Sequence, residues 1–343
     1  MGVDSKAAPG VVDALIEALP EAVFVVASDL DVVAANRIAL RTLPALRVGE
    51  PLLRGLRAPD VLDAAAEVFT TGQPQNALWL DRVPVERQFE IYLNPASFDA
   101  ARVCVVTLHD VTEARRLDQT RTDFVANASH ELRTPLASVL GFIDTLQGPA
   151  KDDLAAREKF LAIMGEQARR MARLVDDLLS LSRIEQNLHM RPDKEVDLVS
   201  IAGQMVDGLR AMAEEAGVEI RFAPHAPVIV LGDRDELLRV AENLIENAIK
   251  YGAPSPVDVS VDARDGMGRL VVVDRGPGVA AEHLPRLTER FYRVDVGQSR
   301  AKGGTGLGLS LVKHILARHR GRLSIESAPG QGSTFAAVVP LAR

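Results

Sequence analysis

Apolar positions in the first hundred residues come in short alternating runs, and beyond Val111 they change to a helical period. Ala22-Val23-Phe24-Val25-Val26-Ala27, the turn Ser28-Asp29-Leu30-Asp31 and Val32-Val33-Ala34 predict a hairpin. Asn36 then reads as the N-cap of a short helix carrying Ile38 and Leu40, and a second helical stretch is expected over Ala58 to Thr70. Further strands are expected at Ala77 to Leu80, Gln88 to Leu93 and Arg102 to Leu108. A strand pair, short helices and a three-strand meander make a small α+β module. Trp79, Phe89 and Phe98 read either as its core or as the lining of a pocket.

From Val111 to about Gln147 one long helix is expected, ended by Gly148-Pro149. Val125, Ala128, Leu132, Val139, Phe142 and Leu146 recur at three and four spacings and define one apolar seam. His130 stands two residues from both Ala128 and Leu132, turned from each by roughly 200°, so its imidazole is expected to face away from the packed side. Glu131 follows it, Thr134 lies one turn on, and Pro135 predicts a kink because it offers no N–H to the Glu131 carbonyl. A second helix is expected from Asp152 or Asp153 to Gln186, with Leu161, Met164, Ala168, Met171, Val175 and Leu178 as its seam and Leu154 one heptad earlier. A lone hairpin of two such helices leaves its apolar faces uncovered. Pairing with a second copy into a four-helix bundle gives a homodimer, and packing on the rest of the chain is the alternative.

A polar linker, Asn187 to Asp197, leads to a mixed α/β region. Helices are expected at Val199 to Ala216, Asp235 to Lys250 and Leu307 to Arg318, with strands at Val218 to Ala223, Val228 to Leu231, Val257 to Ala263 and Arg269 to Asp274 and a closing hairpin of Arg322 to Ser327 with Thr334 to Pro340. Four clusters mark the ends of these elements. Asn243 and Asn247 share a helix face, Lys250-Tyr251 follow, and carboxamide oxygens in that position suit a hydrated Mg²⁺. Asp274-Arg275-Gly276-Pro277-Gly278 presents a carboxylate at a strand end beside glycines that let a ligand approach the backbone. Gly303-Gly304-Thr305-Gly306-Leu307-Gly308 feeds a helix N-terminus, where bare N–H groups favour phosphate oxygens. Gly330-Gln331-Gly332-Ser333-Thr334-Phe335 is a hairpin turn.

Composition narrows the classes. The 343 residues carry 40 Lys plus Arg against 47 Asp plus Glu, a mildly acidic balance that argues against a nucleic-acid surface. Cys104 is the single cysteine, so neither an internal disulfide nor a cysteine-rich metal site is available, and a reducing cytoplasm is the expected compartment. No run approaches the roughly 18 apolar residues of a membrane span, so no integral membrane segment is expected here, although a truncated parent could be membrane-associated. His109, His189, His225, His283, His314 and His319 show no ligand spacing and read as surface or packing residues.

Taken in order from the histidine helix onward, these clusters resemble the H, N, G1, F, G2 and G3 boxes of the two-component sensor histidine kinases, over residues of roughly 112 to 343. The Arg-Thr-Asp-Phe-Val-Ala-Asn-Ala-Ser-His run is most similar to the phosphate-regulon sensors, and the first module, leaving through Asp110-Val111-Thr112-Glu113, resembles a PAS domain. The resemblance implies a multidomain α+β chain. It would comprise a flexible 1–10, a PAS-like sensor over 11–113, a dimerising phosphotransfer hairpin over 114–187 and an α/β sandwich ATP-binding domain of the Bergerat type over 188–343. It implies His130 as phosphoacceptor, Glu131 as base and Thr134 as an aid to dephosphorylating the partner. Asn243, Asn247, Lys250, Tyr251, Asp274, Gly276, Gly278, Phe291, Arg293, Gly304, Thr305, Gly306, Leu307, Gly308 and Thr334 would bind ATP. Within that set Asn247 would hold Mg²⁺, Asp274 would take the adenine amine, and the Gly303 to Gly308 loop would close over the nucleotide. The partner implied is a response regulator's receiver domain. Arg275 departs from the asparagine common in the family, and the membrane span common in phosphate-sensing relatives is missing. A hydrolytic ATPase on the same nucleotide fold would carry glutamate where this chain has Asn243, with Glu242 and Glu246 expected off that position. A non-catalytic scaffold is the remaining alternative.

Overall fold

The computed structural model describes residues 9–82, 86–98, 101–223, 226–295, 297 and 304–342, which gather into two compact units, one ending at Asp123 and the other beginning at Phe124. The expected loose N-terminus falls outside these residues except for Pro9 and Gly10, which open the unforeseen helix α1 (Pro9–Glu17).

In the first unit the predicted hairpin forms as β1 (Ala22–Ala27) and β2 (Val32–Ala35), followed by α2 (Arg37–Thr42), the short α3 (Leu52–Gly55) and α4 (Pro59–Thr71). Then come β3 (Gln75–Asp81), β4 (Arg87–Phe98) and β5 (Ala101–Asp110), giving one antiparallel sheet in the order β2-β1-β5-β4-β3. Strand alternation sends Phe24, Val26, Ile91, Leu93 and Val106 into a core shared with Leu46, Leu52, Leu56 and Val61, while Val23 and Val25 meet Ile16 on the other face. Asn36 is the polar centre of this unit. Buried, it caps α2 by accepting from Ala39 N–H at 2.8 Å, accepts from Val23 N–H, and donates to the carbonyls of Ile16 and Glu21. Trp79 and Phe89 face each other across β3 and β4 and stack at 5.2 Å as core, with Phe98 nine residues further along β4.

The second unit begins within α5 (Thr112–Gln147), which continues as a helix through Pro135. Helix α6 (Leu154–Gln186) follows, capped by Asp153 on Ala156 N–H at 2.9 Å. The two helices meet through the stacked rings of Phe142 and Phe160, 4.9 Å apart. Within one chain the predicted seams are only partly covered. Val125, Leu154, Leu161 and Val175 stay exposed, and the residues of α6 that do bury are Leu174, Leu181 and Ile184. Leu181 and Ile184 enter the core of the α/β region, so the C-terminal end of α6 does pack on the rest of the chain, by residues outside its predicted seam.

The expected linker contains a strand, β6 (Lys194–Asp197), whose Val196 is buried and which pairs with β8 (Ile229–Gly232); so short a strand leaves no alternation to read. Helix α7 (Leu198–Glu215), capped by Asp197, and α8 (Arg234–Gly252), capped by Asp233, cover a sheet of order β11-β12-β10-β9-β7. Its strands are β7 (Ile220–Phe222), β9 (Val257–Arg264), β10 (Met267–Asp274), β11 (Arg322–Ser327) and β12 (Ser333–Pro340), with α9 (Gly308–Arg318) beside α8. Helix α8 buries Leu237, Val240, Leu244, Ile245, Ala248 and Ile249, the larger of which contribute about 1.5–3 kcal/mol each. Its polar face is thereby held toward the open side. Among the described residues no helix is long and apolar enough to cross a membrane.

His319, read from the sequence as a surface or packing residue, is fully buried at the end of α9. It accepts from Asp233 N–H through Nε2 at 3.0 Å, and its Nδ1 meets the Ile315 carbonyl at 2.8 Å. Burial holds its pKa below the usual 6.5. The unfolded chain then binds a proton that the folded chain refuses, so stability is intact above about pH 6.5 and falls as pH drops through the window below it. A His319→Gln variant is expected to show a shallower loss of Tm between pH 6.5 and 5 than the unaltered chain in thermal melts.

Candidate functional site

One cavity of about 430 Å³ opens on the polar face of α8. Asn243, Asn247, Lys250 and Tyr251 line it because the apolar stripe of the same helix is committed to the core. Asn243 donates to the Arg239 carbonyl at 2.8 Å, and Lys250 pairs with Glu246 at 2.7 Å. Opposite, β10 ends at Asp274, a buried carboxylate that accepts from Gly276 N–H at 2.9 Å; burial raises its pKa above the ordinary carboxylate value. Gly276 and Gly278 allow the chain to turn here. A Cβ on Gly278, whose φ is +67°, would collide with the Ala328 carbonyl. The glycine loop closes a third side with Gly304, Thr305, Gly306 and Gly308, where a Cβ on Gly308 would strike Asn243 Oδ1.

The fourth side comes from the helical hairpin. Arg173, Asp176 and Asp177 of α6 line the cavity, and Asp177 accepts from Thr305 Oγ1 at 3.1 Å. Burial raises the pKa of Asp177, with the Thr305 hydroxyl and Arg239 opposing that rise. Phe291 has φ +63°, a costly conformation for a bulky residue, and is held there by its N–H to the Gly306 carbonyl at 2.8 Å and by the Phe124 ring at 5.9 Å. Its neighbour Arg290 pairs with Glu185 of α6 and stands over the Phe124 ring. Tyr292 meets His283 Nδ1 at 2.7 Å, and Arg293 reaches Glu131 of α5 at 2.8 Å. Arg170 of α6 donates to the same Glu131 oxygen at 3.1 Å. His130, beside it, is exposed as its position off the seam predicts, and Thr134 Oγ1 donates back to the His130 carbonyl at 3.2 Å.

The structure therefore gathers Asn243, Asn247, Lys250, Tyr251, Asp274, Gly278, Arg293, Gly304, Thr305, Gly306 and Gly308 around one cavity. Gly276, Phe291 and Leu307 stand behind its wall as supports, and Gly303 lies outside the described residues. Thr334 does not line this cavity. It pairs with Val273 in the sheet, and strand alternation gives the cavity its neighbours Ser333 and Phe335 instead. Glu242 and Glu246 also line the cavity, on either side of the Asn243 position that a water-activating glutamate would occupy. Arg275 turns to Asp258 at 3.1 Å and leaves the cavity wall to its neighbours. Arg170, Arg173 and Asp177 were not singled out in the sequence. Their three and four spacing on the charged side of α6 is the stripe that marks them.

No three of the described His, Cys, Asp and Glu residues cluster as a metal cage. The carboxamide oxygens of Asn243 and Asn247 are hard donors of the kind that supplement phosphate oxygens around Mg²⁺.

Residues 120–187 match the His Kinase A (phospho-acceptor) domain, and residues 232–343 match the histidine kinase-, DNA gyrase B-, and HSP90-like ATPase. The phosphate regulon sensor protein PhoR of Pseudomonas aeruginosa is 40% identical over 233 residues, which are 67% of this chain and 52% of that protein. The sensor-like histidine kinase SenX3 of Mycolicibacterium smegmatis is 39% identical over 245 residues, 71% of this chain and 63% of that protein. The chain thus spans between half and two thirds of the length of these relatives. Among solved structures, the histidine kinase ThkA, in complex with the response regulator protein TrrA, shares the fold with a TM-score of 0.52 at 20% identity, over 96% of this chain and 98% of that one.

Proposed function

Because the chain belongs to the two-component sensor histidine kinases, we propose that it phosphorylates itself on His130 from Mg²⁺-ATP and passes the phosphoryl group to an aspartate of a response regulator's receiver domain. The observation that carries this reading is the joining of the ATPase-type cavity to the His130 helix through Arg293 and Glu131. In the transfer, a neutral ring nitrogen of His130 attacks the γ-phosphorus. The N–P bond forms as the bond to the bridging oxygen breaks, ADP departs, and the proton of the other ring nitrogen passes to the Glu131 carboxylate. Asp274 accepts from the adenine amine, Lys250 faces phosphate, and the Gly304 to Gly308 segment covers the nucleotide, so positioning and charge do most of the work. Asn247 would hold Mg²⁺, which when bound would supply charge neutralisation.

Onward transfer is downhill because phosphohistidine is a reactive N–P linkage. A regulator partner is supported by ThkA, which was solved with one, and Thr134 one turn beyond His130 suits an additional role in dephosphorylating it. Homodimerisation through the hairpin is supported by Val125, Leu136, Leu140, Leu154, Leu161 and Leu179, all about half exposed or more in one chain. The first unit fits a PAS-like sensor over about 11–113 by its five-stranded antiparallel sheet with the short helices between β2 and β3.

Incubation with γ-labelled ATP, followed by acid or base, tests the proposal. A base-stable, acid-labile label on the protein is expected. An acid-stable label overturns the proposal, and so does steady phosphate release without labelled protein, the result that Glu242 acting on water would give.

A further inference from the structure

Arg293 is the most enclosed cation at the cavity. Its side chain is 5% exposed, its Nη2 donates to Glu131 Oε2 at 2.8 Å, and its buried Nε has no hydrogen-bond partner among the described residues. An orphaned buried donor on a guanidinium, which cannot shed its proton, is costly, and such a group is satisfied when a bidentate acceptor comes within reach. Lys250, Asn247 and Thr305 line the same cavity, where the nucleotide's phosphates would lie. A phosphate presents paired oxygens that match the guanidinium fork better than the single oxygen Arg293 now contacts.

The Glu131 end of this contact is equally constrained. Arg170 donates to the same Oε2 at 3.1 Å, and both side chains are about 15% exposed. A carboxylate oxygen engaged by two guanidinium groups is poorly placed to take a proton from the ring next to it.

We propose that Arg293 is an exchange residue. Before nucleotide arrives it holds Glu131, and when ATP enters the cavity its guanidinium moves to the phosphates, relieving the Glu131 Oε2 of one of its two guanidinium contacts so that the carboxylate can accept the ring proton of His130. Arg170 is the positioning residue that keeps the carboxylate beside His130 after Arg293 has gone. The base therefore becomes competent only when the phosphoryl donor is in place. This rests on the reading of the cavity as the ATP site and of Glu131 as the base.

The consequence is thermodynamic. Glu131 and ATP compete for one cation, so each weakens the other's hold, by the reciprocity that governs any two linked contacts. Equilibrium binding of a non-hydrolysable ATP analogue with Mg²⁺ to the full chain measures this without any chemistry. Glu131→Gln, which keeps the shape and removes the charge, is expected to tighten binding by about fivefold or more, the lower end of typical coupling between sites. Arg293→Ala is expected to weaken binding, and in that background Glu131→Gln is expected to change nothing. Arg170→Ala, which removes the other guanidinium from the Glu131 oxygen that Arg293 holds, is expected to weaken binding, the opposite sign to Glu131→Gln. The exchange is overturned if Glu131→Gln leaves the Kd unchanged or raises it, or tightens binding by the same factor without Arg293. It is equally overturned if Arg170→Ala tightens binding. An unaltered chain that does not bind the analogue at all overturns the nucleotide-site reading itself, a result distinct from a flat Glu131→Gln response over normal binding.

Discussion

His130→Gln is expected to bind Mg²⁺-ATP as the unaltered chain does and to take up no phosphoryl label, a loss of about a thousandfold or more, the scale on which removing a nucleophile acts. The imidazole is exposed on α5 and lies outside the wall of the nucleotide cavity, so its removal takes away the acceptor and leaves Asn247, Lys250 and Asp274 in place. Glutamine keeps the helix, since its propensity there matches or exceeds that of histidine. Separate assays of labelling and of analogue binding check both halves. A variant that still labels places the acceptor elsewhere, and one that loses binding as well makes position 130 part of the cavity's structure.

Asp274→Asn is expected to lose about ten- to a hundredfold in ATP affinity, the range for a hydrogen bond to a charged group. The carboxylate is 4% exposed at the end of β10, and Gly252 leaves room for it because a Cβ there would come within 2.9 Å of Asp274 Cβ. An amide in this position offers one acceptor oxygen in place of two and adds an NH₂ that would face the Gly276 N–H or, on the proposed reading, the adenine amine. The same residue sets a pH dependence. Burial raises its pKa, so the ionised acceptor is lost, as pH falls, at values above the 3.8 of an ordinary aspartate. ATP affinity of the unaltered chain should therefore decline on acidification earlier than an exposed carboxylate would allow. In Asp274→Asn that component of the profile should be gone. Titration of analogue binding against pH in the two proteins reads the difference.

Much of this was legible in the chain because local chemistry and tertiary need agree. Asn36 caps its helix as the short polar side chain before an apolar period predicts, and α8 could be divided in advance into a buried face and a cavity face. Where the reading failed, a tertiary partner decides. Strand β6 exists because β8 is beside it, and nothing within its four residues announces that. In the glycine-rich cluster that holds Thr334, the register of β12 against β10 turns Ser333 and Phe335 to the cavity, a choice that the cluster alone does not announce. The predicted seam of α6 leaves out Leu181 and Ile184, which find their cover in the α/β core. Asp177 and Arg170 escaped notice because a charged stripe on a long helix is usually a solvated face. Here the glycine loop and Glu131 turn part of that stripe into a wall of the site.

The phosphoryl group is expected to leave the nucleotide for the imidazole at position 130. Mass-spectrometric mapping of the full chain after brief exposure to Mg²⁺-ATP, kept at alkaline pH throughout, tests it most directly. One added phosphoryl group is expected, on His130, and it should disappear when a receiver domain is added. A phosphoryl group on any other residue, or ATP consumed with none on the chain, would contradict it.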